Sequence, residues 1–203
     1  MFYLKLGIFG GTFNPIHNGH IDIGLKIYNK LSLNKVLFMP NKIPPHKKFE
    51  EILSDKIRLS MLKEALKEYD FFDVEEYELN KNEISYTYES LEHLSKIYKD
   101  DELFFIIGSD SFLNFDSWKK IERIFKSANV VVYLRNDYHK ERVFEIKENY
   151  KKLYNGKIHL VIDDIINISS TKIRDAILNG DNINNLVPKG VYEYIVSKNL
   201  YGE

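Results

Sequence analysis

The sequence predicts an α/β protein with a doubly wound, mostly parallel sheet. Short apolar runs alternate along its 203 residues with segments whose apolar residues recur every three or four positions, the pattern of strands joined by amphipathic helices. Residues 103–107 (LFFII) are apolar throughout, as expected of a parallel strand covered on both faces. We therefore expect a single domain over residues 1–203, Rossmann-like, with strand order 3-2-1-4-5(-6) and a small C-terminal helical part.

The first predicted unit is a β-α-β element. An apolar run at residues 4–9 ends in two glycines, a helical stripe starts near Asn18, and residues 36–39 are typical of a buried strand. The further predicted strands are residues 71–78, 103–107, 130–134 and 158–162. Helices are predicted at residues 55–69, 118–126 and 140–154. Three more helices are expected: one that Ser85 or Thr87 caps, one that starts within residues 168–174, and one that ends near Lys198. Strands one and four adjoin at the switch point of this order, so the turns that follow them, Gly10-Gly11 and Gly108-Ser109-Asp110, should line one crevice.

Composition makes several classes of function improbable. Lys and Arg total 29 against 30 for Asp and Glu, so the formal net charge of −1 provides no field to recruit nucleic acid or an anionic membrane. The chain has no cysteine, which removes disulfides, thiolate catalysis and Cys-based zinc sites. It also has neither a leader pattern nor an apolar run of about 18 residues. We expect a cytoplasmic protein that binds neither nucleic acid nor membrane.

The strongest functional signal is GIFGGTFNPIHNGH at residues 7–20. Gly10 and Gly11 have no Cβ, so a ligand can approach their backbone closely, and the following helix adds unpaired N–H groups and its positive dipole end. Such a turn suits an anion, most often phosphate. His17 and His20 lie three residues apart, on one helix face, where both can donate to phosphoryl oxygens. A capping role or half of a metal site is the alternative, but no further ligands stand at a zinc-like spacing.

This stretch resembles the (T/H)xGH signature of nucleotidyltransferases, in the longer form GGTFxPxHxGH of the nicotinate-mononucleotide adenylyltransferase family. The resemblance implies adenylyl transfer from ATP to nicotinate mononucleotide, giving nicotinate adenine dinucleotide and pyrophosphate in NAD biosynthesis. The catalytic residues that it implies are His17, His20, Lys47 and Arg174. The implied ATP contacts are Gly10, Gly11, Thr12, Phe13, His17, His20, Gly108, Asp110, Ser169, Ser170, Thr171 and Arg174. The implied contacts to nicotinate mononucleotide are Thr12, His46, Lys47, Tyr86, Thr87 and Trp118.

Three of these motifs also have a simpler structural interpretation. Gly108-Ser109-Asp110 is an ordinary strand-ending turn by composition, whereas the family's GxD motif contacts the ATP ribose. Trp118 suits a core anchor, but it lies at the offset from Asp110 at which the family places an aromatic ring on the pyridine. Ser85-Tyr86-Thr87 could be only an N-cap, whereas the family's SYT motif holds the nicotinate carboxylate through backbone donors.

Two further segments are assigned to phosphates by the resemblance. His46, Lys47 and Lys48 follow two prolines and are typical of a solvated loop, but they match the family's PPHK loop over the phosphates. Residues 168–174 (ISSTKIR) suit a helix cap followed by an exposed arginine, and they match the element that engages the triphosphate. The resemblance also implies Mg²⁺ bound mainly through ATP phosphates, with no dedicated protein ligand. The expected partners are ATP and nicotinate mononucleotide, in a monomer or homodimer.

Other functions stay open at this point. Another (T/H)xGH adenylyl- or cytidylyltransferase, such as a phosphopantetheine adenylyltransferase, would share the phosphate site, although Trp118 and the SYT motif favour a pyridine nucleotide. Nicotinamide mononucleotide differs from the acid only by its amide, and backbone N–H donors favour the charged acceptor. A non-catalytic nucleotide-binding module is the alternative from another class, and the presence of His17, His20 and Arg174 disfavours it.

Overall fold

The predicted parallel sheet is present in the computed structural model, which describes residues 3–42, 52–81, 85–134, 140–164 and 168–202. Within these ranges, six strands pair in the order β3-β2-β1-β4-β5-β6, which confirms the predicted order. All pairings are parallel, and β1 adjoins β4 with Phe9 opposite Ile106. The strands are β1 Lys5–Gly11, β2 Lys35–Pro40, β3 Phe72–Val74, β4 Glu102–Gly108, β5 Asn129–Leu134 and β6 Ile158–Ile162.

Helices cover both faces of the sheet, as a doubly wound fold requires. The described helices are α1 Asn18–Leu31, α2 Asp55–Leu66, α3 Thr87–Ile97, α4 Ser109–Leu113, α5 Ile121–Ser127, α6 Lys140–Tyr154, α7 Ser170–Leu178 and α8 Lys189–Ser197, with a 3₁₀ turn at Phe115–Ser117. Successive strand residues point to opposite faces, so Phe9 packs with α1, α2, α7 and α8, whereas Ile8 packs with α3 to α6. None of the described helices has the length and apolarity needed to cross a bilayer.

The third strand is shorter than the sequence predicts. We expected a strand over residues 71–78, but β3 covers only Phe72–Val74. The ladder ends after the Glu75 N–H donates to the Phe38 carbonyl at 2.9 Å. The partner strand ends at Pro40, which has no N–H to donate, so β3 cannot be extended along it. The chain turns away instead and buries Glu78 and Leu79.

Two predictions about helix starts were also wrong. The helix expected from Trp118 begins at Ile121, because Lys120 adopts a left-handed conformation with φ of 55° that breaks the helical path. The short helix α4 directly after β4 was not predicted at all. Helix α3 begins at Thr87, but its N-cap is Tyr86 and no side chain caps it, so neither Ser85 nor Thr87 has the predicted capping role.

Candidate active site

The glycine turn ends β1 at the carboxyl edge of the sheet, where Gly108 ends the neighbouring β4. A Cβ on Gly11 would lie 2.8 Å from the buried Phe13 ring, so packing alone requires glycine there. Phe13 itself has a φ of 49°, which turns the chain back under Gly11. A Cβ on Gly10 would meet only Phe105, at an ordinary 3.5 Å. Since the protein itself does not demand glycine at position 10, the open space there fits the approach of a ligand.

His17 and His20 cap the N-terminus of α1 for each other. His17 is the N-cap residue, and its Nδ1 accepts from the His20 N–H at 3.3 Å. His20 Nδ1 accepts in turn from the His17 N–H at 3.3 Å, the reciprocal arrangement of a capping box. The two rings stack with their centroids 3.7 Å apart. The capping interpretation that the sequence left open is therefore part of the answer, and it fixes how both rings are oriented.

The capping bonds also fix the tautomer of each ring. A neutral imidazole that accepts at Nδ1 carries its proton on Nε2. Both histidines thus present an Nε2–H donor while Nδ1 remains engaged with the backbone of α1. Two such donors beside a glycine turn suit phosphoryl oxygens.

The N-terminus of α7 is fastened to the same turn. Ser170 Oγ donates to the Pro15 carbonyl at 2.9 Å, and Arg174 donates to the Asn14 carbonyl at 3.0 Å. Ser169 is the N-cap of α7 and accepts from the Lys172 N–H, which is the structural interpretation that the sequence left open for this segment. The structure thus brings the hydroxyl-rich helix start and Arg174 next to the residues that lead into the histidine pair.

Two buried side chains that sequence analysis missed hold this turn. Arg58 is fully buried and donates to the carbonyls of Thr12, Asn41 and Leu53, at 2.7, 2.8 and 3.2 Å, and to Asp55. It ties the loops after β1 and β2 to the start of α2.

Asn14 is the second of these side chains, and its Oδ1 accepts from the Leu53 N–H and from the hydroxyl of Tyr201, near the end of the chain. Neither Arg58 nor Asn14 could be identified from the sequence, because their partners are carbonyl groups and residues distant along the chain.

A second part of the crevice lies on the β4 side. The half-buried Trp118 packs edge-on against Phe115 and Phe105, and Phe105 is the residue beside Gly10. Lys119 Nζ donates to the Tyr86 hydroxyl at 2.7 Å. Trp118 and Gly10 therefore share Phe105 as a neighbour, and the residue after Trp118, Lys119, reaches the start of α3. Gly108 and Asp110 lie exposed at the same edge of the sheet, where Asp110 belongs to the first turn of α4.

The predicted basic loop cannot be placed. His46, Lys47 and Lys48 lie outside the described residues, so their implied contacts stay predictions. Among the residues that the structure describes, no group of three or more His, Asp or Glu side chains is arranged to hold a metal ion. Any Mg²⁺ at this site would depend mainly on ligands supplied by a phosphate-bearing substrate.

Comparison with known proteins identifies the family. The Cytidylyltransferase-like family model matches residues 8–176, from the first strand to α7. A probable nicotinate-nucleotide adenylyltransferase of Clostridium perfringens is 42% identical over 199 residues, covering 97% of this chain and 98% of the relative. The chain belongs to the nicotinate-nucleotide adenylyltransferase family. A relative of the same description from Clostridium acetobutylicum is also 42% identical, over 197 residues.

Solved structures support the family's fold for this chain. The nicotinic acid mononucleotide adenylyltransferase of Plasmodium falciparum, complexed with NaAD, has a TM-score of 0.79 at 19% identity and covers 98% of both chains. A putative nicotinate-nucleotide adenylyltransferase from Vibrio parahaemolyticus has a TM-score of 0.66 at 22% identity. The resemblance found in GGTFNPIHNGH and the Rossmann-like fold predicted from the alternation of strands and helices are thereby confirmed.

Proposed function

We propose that this chain transfers the adenylyl group of ATP to nicotinate mononucleotide, releasing nicotinate adenine dinucleotide and pyrophosphate. Membership in the family supports this reaction, and the NaAD bound to one structural neighbour corresponds to the dinucleotide product. The observation that carries the proposal is the reciprocal capping of His17 and His20, which fixes both rings at the start of α1, in the segment that follows the open glycine turn. A module that only senses nucleotide would not need two donors held in this way.

The residues suit a displacement at the α-phosphorus. The attacking group is the phosphate of nicotinate mononucleotide, which is ionised at neutral pH, so no strong general base is required. Catalysis then consists of holding the attacking oxygen, the α-phosphorus and the leaving pyrophosphate in line while charge is neutralised. His17 and His20 donate to the α- and β-phosphate oxygens, and Arg174, beside the Asn14 carbonyl, stabilises the leaving pyrophosphate. Lys47 is proposed to assist from the PPHK loop.

The start of α3 suits the pyridine carboxylate. Among the described residues no side chain caps this helix, so the N–H groups of its first two residues and its positive dipole end suit an anion. Tyr86 and Thr87 lie at this position, and Lys119, the residue after Trp118, donates to the Tyr86 hydroxyl. An amide in place of the carboxylate would make weaker bonds to these donors, which favours the acid substrate.

A metal ion is proposed as the cofactor. Mg²⁺ prefers phosphate oxygens and water, and the described residues offer no cage of protein ligands that would compete with them. When bound through the ATP phosphates, Mg²⁺ supplies charge neutralisation at the triphosphate.

The decisive experiment compares acceptors. Pyrophosphate release would be measured with ATP and Mg²⁺ in the presence of nicotinate mononucleotide, nicotinamide mononucleotide or phosphopantetheine at matched concentrations. We expect strong preference for the first. Release with another acceptor alone would preserve the phosphate site but contradict the pyridine pocket. Nucleotide binding without release for any acceptor would favour a binding module.

A further inference from the structure

A buried carboxyl group lies beneath the start of α3, and the proposed reaction does not use it. Glu78 is only 2% exposed, in the segment between β3 and α3. Its Oε1 accepts from Ser90 Oγ, in the first turns of α3, at 2.6 Å. Its Oε2 has no hydrogen-bond partner among the described residues, and the same holds for the buried hydroxyl of Ser85. Ser85 lies close enough to influence the ionisation of Glu78.

We propose that Glu78 is a positioning and specificity residue for the acceptor nucleotide. As the neutral acid it binds Ser85 and Ser90, fixes the residues that open α3, and keeps negative charge away from the substrate carboxylate. This inference rests on the proposed function, because it assigns the start of α3 to the pyridine carboxylate.

Three properties of the surroundings favour the neutral acid. Burial raises the pKa of Glu78, and the nearby hydroxyls of Ser90 and Ser85 and the charge of Lys81 lower it only in part. Glu89, on α3, raises it further. The nearby cations are engaged elsewhere: Lys81 pairs with Glu89 at 3.1 Å, and Lys42 donates to the Leu79 carbonyl at 2.9 Å. A proton on Oε2 can be donated to Ser85 Oγ, which would give both orphaned atoms a partner.

The charge state of Glu78 should affect the acid substrate more than ATP. As the pH rises through the raised pKa, the carboxylate that forms adds a negative charge close to the donors of Tyr86 and Thr87. Repulsion at short range and low dielectric weakens binding of a second carboxylate. Nicotinamide mononucleotide has no charge on its ring substituent and should be affected less. Preference for the acid over the amide should therefore fall with rising pH.

The test uses Glu78→Ala, Glu78→Gln and the matched control Glu76→Gln, which changes an exposed carboxylate paired with Lys63. For Glu78→Ala we expect the KM for nicotinate mononucleotide to rise about tenfold, the effect of roughly one net hydrogen bond, with the KM for ATP within about twofold of wild type. Glu78→Gln keeps a neutral donor and acceptor and should retain a KM close to wild type. A lower Tm for Glu78→Ala with both KM values unchanged would reduce Glu78 to a structural role and overturn the proposal.

The pH profile gives an independent readout from about pH 5 to about pH 9. The substrate phosphate titrates in the same range, so each variant is compared with wild type at every pH. The KM for nicotinate mononucleotide should rise with pH in the wild-type protein and in Glu76→Gln, relative to its value in Glu78→Gln at the same pH. Superimposable pH profiles of the three proteins would overturn the proposal. Absence of pyrophosphate release by the wild-type protein would instead refute the proposed function. In that event the Tm difference between Glu78→Gln and wild type would still test whether Glu78 titrates.

Discussion

Replacement of His20 separates its two roles, as a cap of α1 and as a phosphate donor. In Glu- or Gln-type capping boxes the side chain at the third helical position accepts from the N-cap N–H, and here His20 Nδ1 does so. Asparagine places its Oδ1 near the position of Nδ1 but has no group near Nε2. His20→Asn should therefore keep the capping bond and lose the catalytic donor, whereas His20→Ala loses both.

The magnitudes follow from these contacts. Loss of a cap costs about 1 kcal/mol, which for a chain of 203 residues corresponds to a Tm lower by about 2–4 °C. Both variants lose the 3.7 Å stacking on His17, so the Tm difference between them isolates the cap. Loss of a donor to the transition state costs about 2.7–4 kcal/mol, or roughly 100- to 1000-fold in kcat. We expect this loss in both variants, with the KM for ATP changed much less.

Steady-state pyrophosphate release and thermal unfolding test this prediction. His159→Asn on β6, at the far edge of the sheet, is a matched control in which turnover should be retained. A His20→Asn variant with kcat within about threefold of wild type would refute the transition-state role. Equal loss of kcat and ATP affinity would refute it as well, because the interaction would then be made in the ground state.

Four further substitutions test the turn that carries the histidines. Gly10→Ala adds a Cβ that meets only Phe105 at 3.5 Å, so the free energy of unfolding should change by less than about 0.5 kcal/mol while ATP turnover falls. In Gly11→Ala the added Cβ would lie 2.8 Å from the buried Phe13 ring, so the free energy of unfolding should fall. Equal urea midpoints for the two variants would contradict this difference. Arg58→Met leaves three carbonyls in the loops after β1 and β2 unpaired and removes the nearer of the two cations at Asp55, which should lower the free energy of unfolding in urea by about 3–5 kcal/mol. A loss below about 1 kcal/mol would be inconsistent with the burial of Arg58. Tyr201→Phe removes the hydroxyl that donates to Asn14, while Asn14 keeps its bond from the Leu53 N–H. We expect the free energy of unfolding in urea to fall by about 1 kcal/mol. An unchanged free energy of unfolding would mean that the C-terminal residues do not hold the turn.

Much of the fold could be predicted because its signals are local. The run at residues 103–107 is buried on both faces as β4, and α6 spans Lys140–Tyr154 as its periodicity predicts. The order of strands follows from right-handed crossovers once the alternation of helix and strand is recognised. By contrast, the length of β3 depends on the strand beside it, where Pro40 cannot donate to the ladder. The end of β3 is therefore set by its neighbouring strand and cannot be predicted from the residues of β3 alone.

The candidate site divides in the same way. Gly10, Gly11, His17 and His20 were recognisable because a phosphate turn is one contiguous stretch whose chemistry depends on spacing. The residues that hold this stretch in place were not recognisable, because Arg58 and Tyr201 reach it only after the chain has folded. Arg58 and its partner Thr12 are 46 residues apart in the sequence, and Tyr201 and its partner Asn14 are 187 residues apart.

The sequence alone determined the chemistry of this protein, since residue types at fixed spacing specify a glycine turn, two imidazoles and the motifs of the family. Tertiary structure decided the state of those groups. It left Gly10 open beside Phe105, joined Arg58 and Tyr201 to the turn, and buried Glu78 beneath the start of α3. The physical reason is that charge and accessibility depend on the surrounding dielectric and hydrogen-bond partners, which exist only once distant segments have packed together.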